Sequence, residues 1–151
     1  RDWEFRRVLF RCQVTESKRP VPVSKVMTKE VRTAAPDSPL SDVYEMLLEE
    51  GCHHVPIVDG DKTVGMISSR DLVDVARDRG ADRLTPGALA HEVAGDVMST
   101  QLQTVYVDQP VDVAIERIGR GDIHALIVLD HDDAMAGIVT HHDLLRYLMV
   151  P

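Results

Sequence analysis

The feature that most constrains this chain is that it contains one unit twice. The stretch "VMTKEVRTAAPDSPLSDV", from Val26, aligns without a gap on "VMSTQLQTVYVDQPVDVA", from Val97. The Val-Met pair, a following hydroxyl, Thr33 with Thr104, Asp37 with Asp108 and Pro39 with Pro110 all match at an offset of 71. The offset still holds at His53 with His124 and at Asp59 with Asp130. After one extra residue in "HDDAMA" it becomes 72, matching Gly65 with Gly137, Ser68 with Thr140 and Asp71 with Asp143. A register kept this far with a single insertion marks two copies of one structural unit.

Each copy has the same grammar. A β-prone segment (31–34; 103–107) ends at a Pro or Asp turn signal. A helix follows, with Leu40, Val43, Met46 and Leu47 forming one apolar stripe and Val111, Ala114, Ile115 and Ile118 another. Ser38 and Asp108 or Gln109 stand near the helix starts, and Pro39 and Pro110 are expected in the first turn. Two short apolar strands come next, then a second helix from Ser69 and from His141. A β-α-β-β-α unit of about 60 residues covers its apolar faces poorly alone. The expectation is therefore an α/β (α+β) fold of two tandem repeats packed sheet to sheet with pseudo-twofold symmetry.

The expected organisation is an N-terminal arm over 1–22, a first repeat over 23–80, a linker over 81–95 and a second repeat over 96–151. The linker has enough Leu, Ala and Val to pack as a short helix. In the arm, Phe5, Val8, Leu9 and Cys12 fall on one helical face. The chain opens at Arg1 without a signal-peptide pattern and reads as a trimmed piece of a longer protein.

Composition narrows the function classes. A hydrophobic content of 44% fits a globular core, but no apolar run approaches a membrane span. A formal net charge of −8 argues against a broad nucleic-acid or anionic-membrane surface, while leaving room for a small anion held by local donors. Cys12 and Cys52 are isolated thiols without metal or disulfide spacing, which suits a reducing, cytoplasmic location.

The paired motif "GMISSRD" and "GIVTHHD" admits two readings. Ser68 and Thr140 with Asp71 and Asp143 resemble capping boxes at helix starts. The same geometry offers free N–H groups and a hydroxyl to a phosphate, and a carboxylate one turn on to the vicinal hydroxyls of a ribose. The preceding glycine would allow close approach of a ligand. Spacing alone leaves both readings open.

The two copies resemble cystathionine-β-synthase (CBS) domains, and the pair resembles a Bateman module. The blocks that carry the resemblance are "VMTKEVRTAAPDSPLSDV", "HHVPIVD" and "VGMISSRDL", then "VMSTQLQTVYVDQPVDVA", "HALIVLD" and "AGIVTHHDLL". The resemblance implies a regulatory module, without catalysis of its own, that binds AMP, ADP, ATP or S-adenosylmethionine between the repeats. It also implies a homodimer and an unidentified regulated protein or domain. Carried over by position, Asp71 and Asp143 would hold ribose, and Ser68 and Thr140 would meet phosphate or ribose. Arg70 would neutralise phosphate in the first site, with His142 in its place in the second. The base would lie near Thr33, Ala34, His54, Val55 and Pro56, or near Thr104, Val105, Ala125, Leu126 and Ile127. With Arg70 in one copy and a neutral imidazole in the other, the first site is expected to bind a charged nucleotide more readily.

Other signals are weaker. The pairs His53-His54 and His141-His142 diverge on either a strand or a helix, and no HExxH or Cys cluster accompanies them, so no metal is expected. The loop "DHDDA" lacks the glycine and distal glutamate of an EF-hand. No activated nucleophile or Gly-rich phosphate loop is evident, so an enzyme acting through the histidines is the weakest reading. A dimerisation scaffold whose clefts bind nothing is the main alternative to a ligand sensor.

Overall fold

The computed structural model describes residues 19–83 and 85–149; the expected arm helix over Phe5 to Cys12 lies outside the described residues. In the first repeat, helix α1 (Leu40–Glu50) leads to strands β1 (His54–Asp59) and β2 (Lys62–Ser68), and helix α2 (Ser69–Asp78) closes the unit. A 3-10 turn (Pro86–Leu89) and short helix α3 (Ala94–Val97) connect it to the second. There strand β3 (Thr104–Tyr106) precedes helix α4 (Val111–Gly119), strands β4 (Ala125–Leu129) and β5 (Met135–Thr140), and helix α5 (His141–Met149). The β1–β2 and β4–β5 hairpins are antiparallel, with register shifts at equivalent points, Ile57/Val58 and Val128/Leu129. Strand β3 lies parallel to β4. The expected stripes are the core: Leu40, Val43 and Leu47 are buried on α1, and Val111, Ala114 and Ile118 on α4.

The first copy departs from the expected grammar at 31–34, where no strand forms. Only Ala34 makes a bridge, parallel to Ile57, with Ala34 N donating to Pro56 O and Val58 N to Ala34 O. The cause is local. Val107 N donates to Leu129 O at 3.0 Å beside β3, whereas its counterpart, Pro36, has no N–H to give. Two alanines also replace the β-prone Val105-Tyr106.

The repeats are joined by exchange of their lead-in segments. Val111 N donates to Val21 O and Val23 N to Gln109 O, each at 2.8 Å; in mirror image Leu40 N donates to Glu92 O and Ala94 N to Ser38 O, also at 2.8 Å. Pro39 and Pro110 accordingly sit at the N-cap, one residue before the expected first turn. The lead-in of the other repeat satisfies the first free N–H of each helix. Val23 is fully buried in the second repeat's core, while Leu89 and Ala94 are fully buried in the first's.

A second crossing is equally symmetric. Thr28 and Ile138 exchange two backbone hydrogen bonds at 2.9 and 3.0 Å, and so do Ser99 and Met66. Here the motif glycines act. A Cβ on Gly137 would lie 2.5 Å from the Thr28 carbonyl oxygen, and one on Gly65 would collide with the Met98 side chain. The close approach that these glycines permit is to the lead-in of the other repeat, where a ligand had been expected.

Candidate functional site

The paired motif places a hydroxyl and a carboxylate together at each helix start, but the two copies are not equivalent. In the first, Ser68 and Asp71 form a capping box at the start of α2. Ser68 N and Ser68 Oγ donate to Asp71 Oδ2 at 2.7 and 2.9 Å, while Oδ1 receives no hydrogen bond from any described residue. Asp71 is half-buried. In the second copy, Thr140 N and Oγ1 donate to Asp143 Oδ2 at 2.9 and 3.1 Å. Oδ1 there accepts from Thr28 Oγ1 at 2.9 Å and from the Arg146 guanidinium at 3.1 Å. Asp143 is 4% exposed and both its oxygens are engaged. The counterpart of Arg146 is Asp74, and the counterpart of Thr28 is Ser99, which makes no side-chain bond to Asp71.

Two clefts adjoin these carboxylates, and each draws on both repeats. The Asp71 cleft, about 500 Å³, combines Ser68 and Asp71 with the second lead-in (Ser99, Gln101 to Gln103) and with Asp122 to Ala125 and Ile127. The Asp143 cleft, about 720 Å³, combines Thr140, His141, His142, Asp143 and Arg146 with the first lead-in (Thr28, Glu30 to Arg32) and with Glu50 to His54. His54 and His124 line both. Both volumes fall in the range of small-molecule sites, about 300–1,000 Å³. A third groove, which Asp71 also lines, is strongly acidic, with Asp74, Asp78, Glu92 and Asp96 opposed by Arg79.

The clefts lie between the repeats as expected, but the grouping of residues differs from the expected one, in which the named residues of each site came from one copy. Ala125 and Ile127 share a cleft with Ser68 and Asp71, and His54 reaches both clefts. Val55, Val105 and Leu126 are core side chains with at most 1% exposure, and Pro56 and Ala34 are buried around the Ala34–Ile57 bridge. Thr33 and Thr104 are half-buried and line neither cleft. Arg70 is exposed and also lines neither; the cations lining the two clefts are Arg146 of the second copy and Arg32 of the first, both in the Asp143 cleft. Residues that motif reading missed are Thr28, Ser99, Arg32, Arg146, His124 and His141. Thr28 and Ser99 were visible as the aligned hydroxyl after each Val-Met pair.

The histidines cluster where the clefts meet. The His124 and His141 rings lie 5.3 Å apart between centroids. Burial pushes the His54 imidazole down to about 4, helped by His124, His53 and His141 and opposed by Asp71. It is therefore neutral at pH 7. Among the described residues no set of His, Cys, Asp and Glu is arranged to hold a metal ion, and no helix is long and apolar enough to cross a membrane.

The CBS domain model matches residues 23–78 and again 94–150. This chain belongs to the CBS domain family. Its two CBS domains are 27% identical over 127 residues to a homoserine O-acetyltransferase of Methanohalobium evestigatum, a match covering 83% of this chain and 24% of that protein. Two Methanocaldococcus jannaschii relatives are also longer, and the chain spans 40% and 43% of them. Among solved structures, the CBS domain pair of MJ0100 in complex with 5′-methylthioadenosine and S-adenosyl-L-methionine superposes with a TM-score of 0.71 at 25% identity, over 85% of this chain and 96% of that one. CBSX2 in complex with AMP has the same fold, with a TM-score of 0.71 at 23% identity over 85% and 96% of the two chains.

Proposed function

We propose that this CBS pair is a regulatory module that binds an adenosine-containing ligand in the cleft beside Asp71. The observation that carries this reading is the free Oδ1 of Asp71, a carboxylate oxygen fixed by the capping box yet available to ribose hydroxyls. Ser68 and Ser99 add hydroxyls at the same wall, and Ala125 and Ile127 supply an apolar floor for a flat base. The MJ0100 pair, crystallised with two adenosine derivatives, supports the ligand class. The expectation that the first site favours a charged nucleotide rested on Arg70, which lines neither cleft; the free carboxylate oxygen favours the Asp71 cleft for the ribose and not for the phosphate. A ligand in this cleft touches both repeats, so occupancy favours one arrangement of the pair and passes that bias to a partner. The exposed Leu145, Leu148 and Met149 on α5 support pairing with a second copy.

Calorimetry with adenosine, AMP, ATP and S-adenosylmethionine tests the reading. Asp71→Ala is expected to weaken the ligand that binds by about tenfold or more, the loss of one or two charge-assisted hydrogen bonds. Binding unchanged in Asp71→Ala, or no heat and no thermal shift with any of the four ligands, would overturn it in favour of a scaffold.

A further inference from the structure

The Asp143 cleft differs in kind from the Asp71 cleft. Its carboxylate is consumed by Thr28, Thr140 and Arg146 and has no oxygen left for a ribose. Five imidazoles line it instead: His53 and His54 from the start of β1, His124 ahead of β4, and His141 and His142 from the first turn of α5. The repeat keeps one pair of them, His53 and His124 being each other's counterparts, but the fold does not require the other three. The counterparts of His54, His141 and His142 are Ala125, Ser69 and Arg70, and those of Arg32 and Arg146 are Gln103 and Asp74. The other charges on the wall are two guanidinium groups, Arg32 and Arg146, against three carboxylates, Glu30, Glu50 and Asp143. Arg32 pairs with Glu49 and Glu50, and Arg146 with Asp143. Cys52 is the remaining titratable group. With the imidazoles neutral the wall is one charge negative; protonating two or three of them makes it cationic.

We infer that the Asp143 cleft is a proton-linked site for a phosphate-bearing small molecule, separate in kind from the adenosine site. The ligand brings the negative charge that lets neighbouring imidazoles protonate together, which burial, first of all at His54, and then their mutual repulsion oppose without it. The sign follows. Imidazole pKa values are higher in the bound state than in the free state, so binding takes up protons and strengthens as pH falls through the imidazole range. Affinity then changes by up to about tenfold per pH unit for each proton taken up.

The test uses pyrophosphate and ATP as probes on the chain at about pH 6 and about pH 8, by calorimetry in two buffers of different ionisation enthalpy. The expected result is tighter binding at the lower pH with net proton uptake. His142→Gln, at an exposed position that should not disturb folding, reduces that uptake, and His141→Gln with it reduces it further. Pyrophosphate binding that survives Asp71→Ala identifies a free phosphate ligand. ATP binding lost in that variant, with its pH slope intact in the parent chain, identifies a nucleotide spanning both clefts. Binding that is independent of pH, uptake unchanged in both histidine variants, or no binding of either probe would overturn the inference. Adenosine binding at Asp71 is measured separately, so either reading can fail alone.

Discussion

Asp71 and Asp143 occupy equivalent positions, yet one carboxylate keeps an oxygen that no described residue bonds and the other is spent on the protein. The roles can therefore be separated by stability. Asp143→Ala removes a buried acceptor of four hydrogen bonds and leaves Thr28 and Arg146 without their partner. A loss of about 2–3 kcal/mol is expected, discounted because Arg146 is largely solvated. Thr28→Val, nearly isosteric, should cost about 1 kcal/mol, and in the Asp143→Ala background almost nothing. Asp71→Ala should cost only the cap, about 1 kcal/mol. Urea unfolding of the four variants checks this; equal losses for the two aspartates would contradict the asymmetry. The sequence showed both carboxylates, and the repeat alignment showed the hydroxyls at Thr28 and Ser99. What it could not show is that the hydroxyl of one copy reaches the carboxylate of the other, because that contact spans 115 residues.

At the scale of elements, helices and hairpins were legible because their periodicity is local, as the buried stripes of α1 and α4 demonstrate. The missing strand in the first copy was not read, although its cause, Pro36 in place of Val107, stands in the same alignment. The motif glycines were read toward a ligand because spacing does not reveal which chain segment crosses the strand. Their actual neighbours make a prediction. Gly137→Ala sets a methyl against the Thr28 carbonyl oxygen, which accepts from Ile138 N in a residue whose own N–H donates back to Ile138 O. That overpacking should cost about 1–3 kcal/mol. Gly65→Ala meets the Met98 side chain, whose Sδ and Cγ can swing away by a rotamer change while Cβ, 2.9 Å off, needs only a small shift, and it should cost less. Thermal denaturation of the two variants gives the comparison; a larger loss at Gly65 would mean that the crossings are not packed as described.

The exchange of lead-ins makes the whole molecule one cooperative object even though its sequence is a tandem repeat. Tandem copies invite the expectation of two units that fold separately, each with its own core. Here the first core contains Leu89 and Ala94 from the segment beyond the first repeat, and the second contains Val23 from the segment before the first helix. A chain cut to residues 23–80 would lose both buried side chains and the Glu92 carbonyl that satisfies Leu40 N, and it should not fold alone. The same geometry means that a ligand held between a motif helix and the other repeat's lead-in acts on an already shared structure. A bias imposed at one cleft then reaches both sheets. In the intact pair, hydrogen exchange should show β1 and β4 amides opening with the same free energy, and urea should give one transition by every probe. Gly137→Ala lies in the second repeat, yet it should lower protection in β1 as much as in β4. A change confined to the β4–β5 hairpin, or two resolved transitions, would show that the lead-ins decorate two independent units without coupling them.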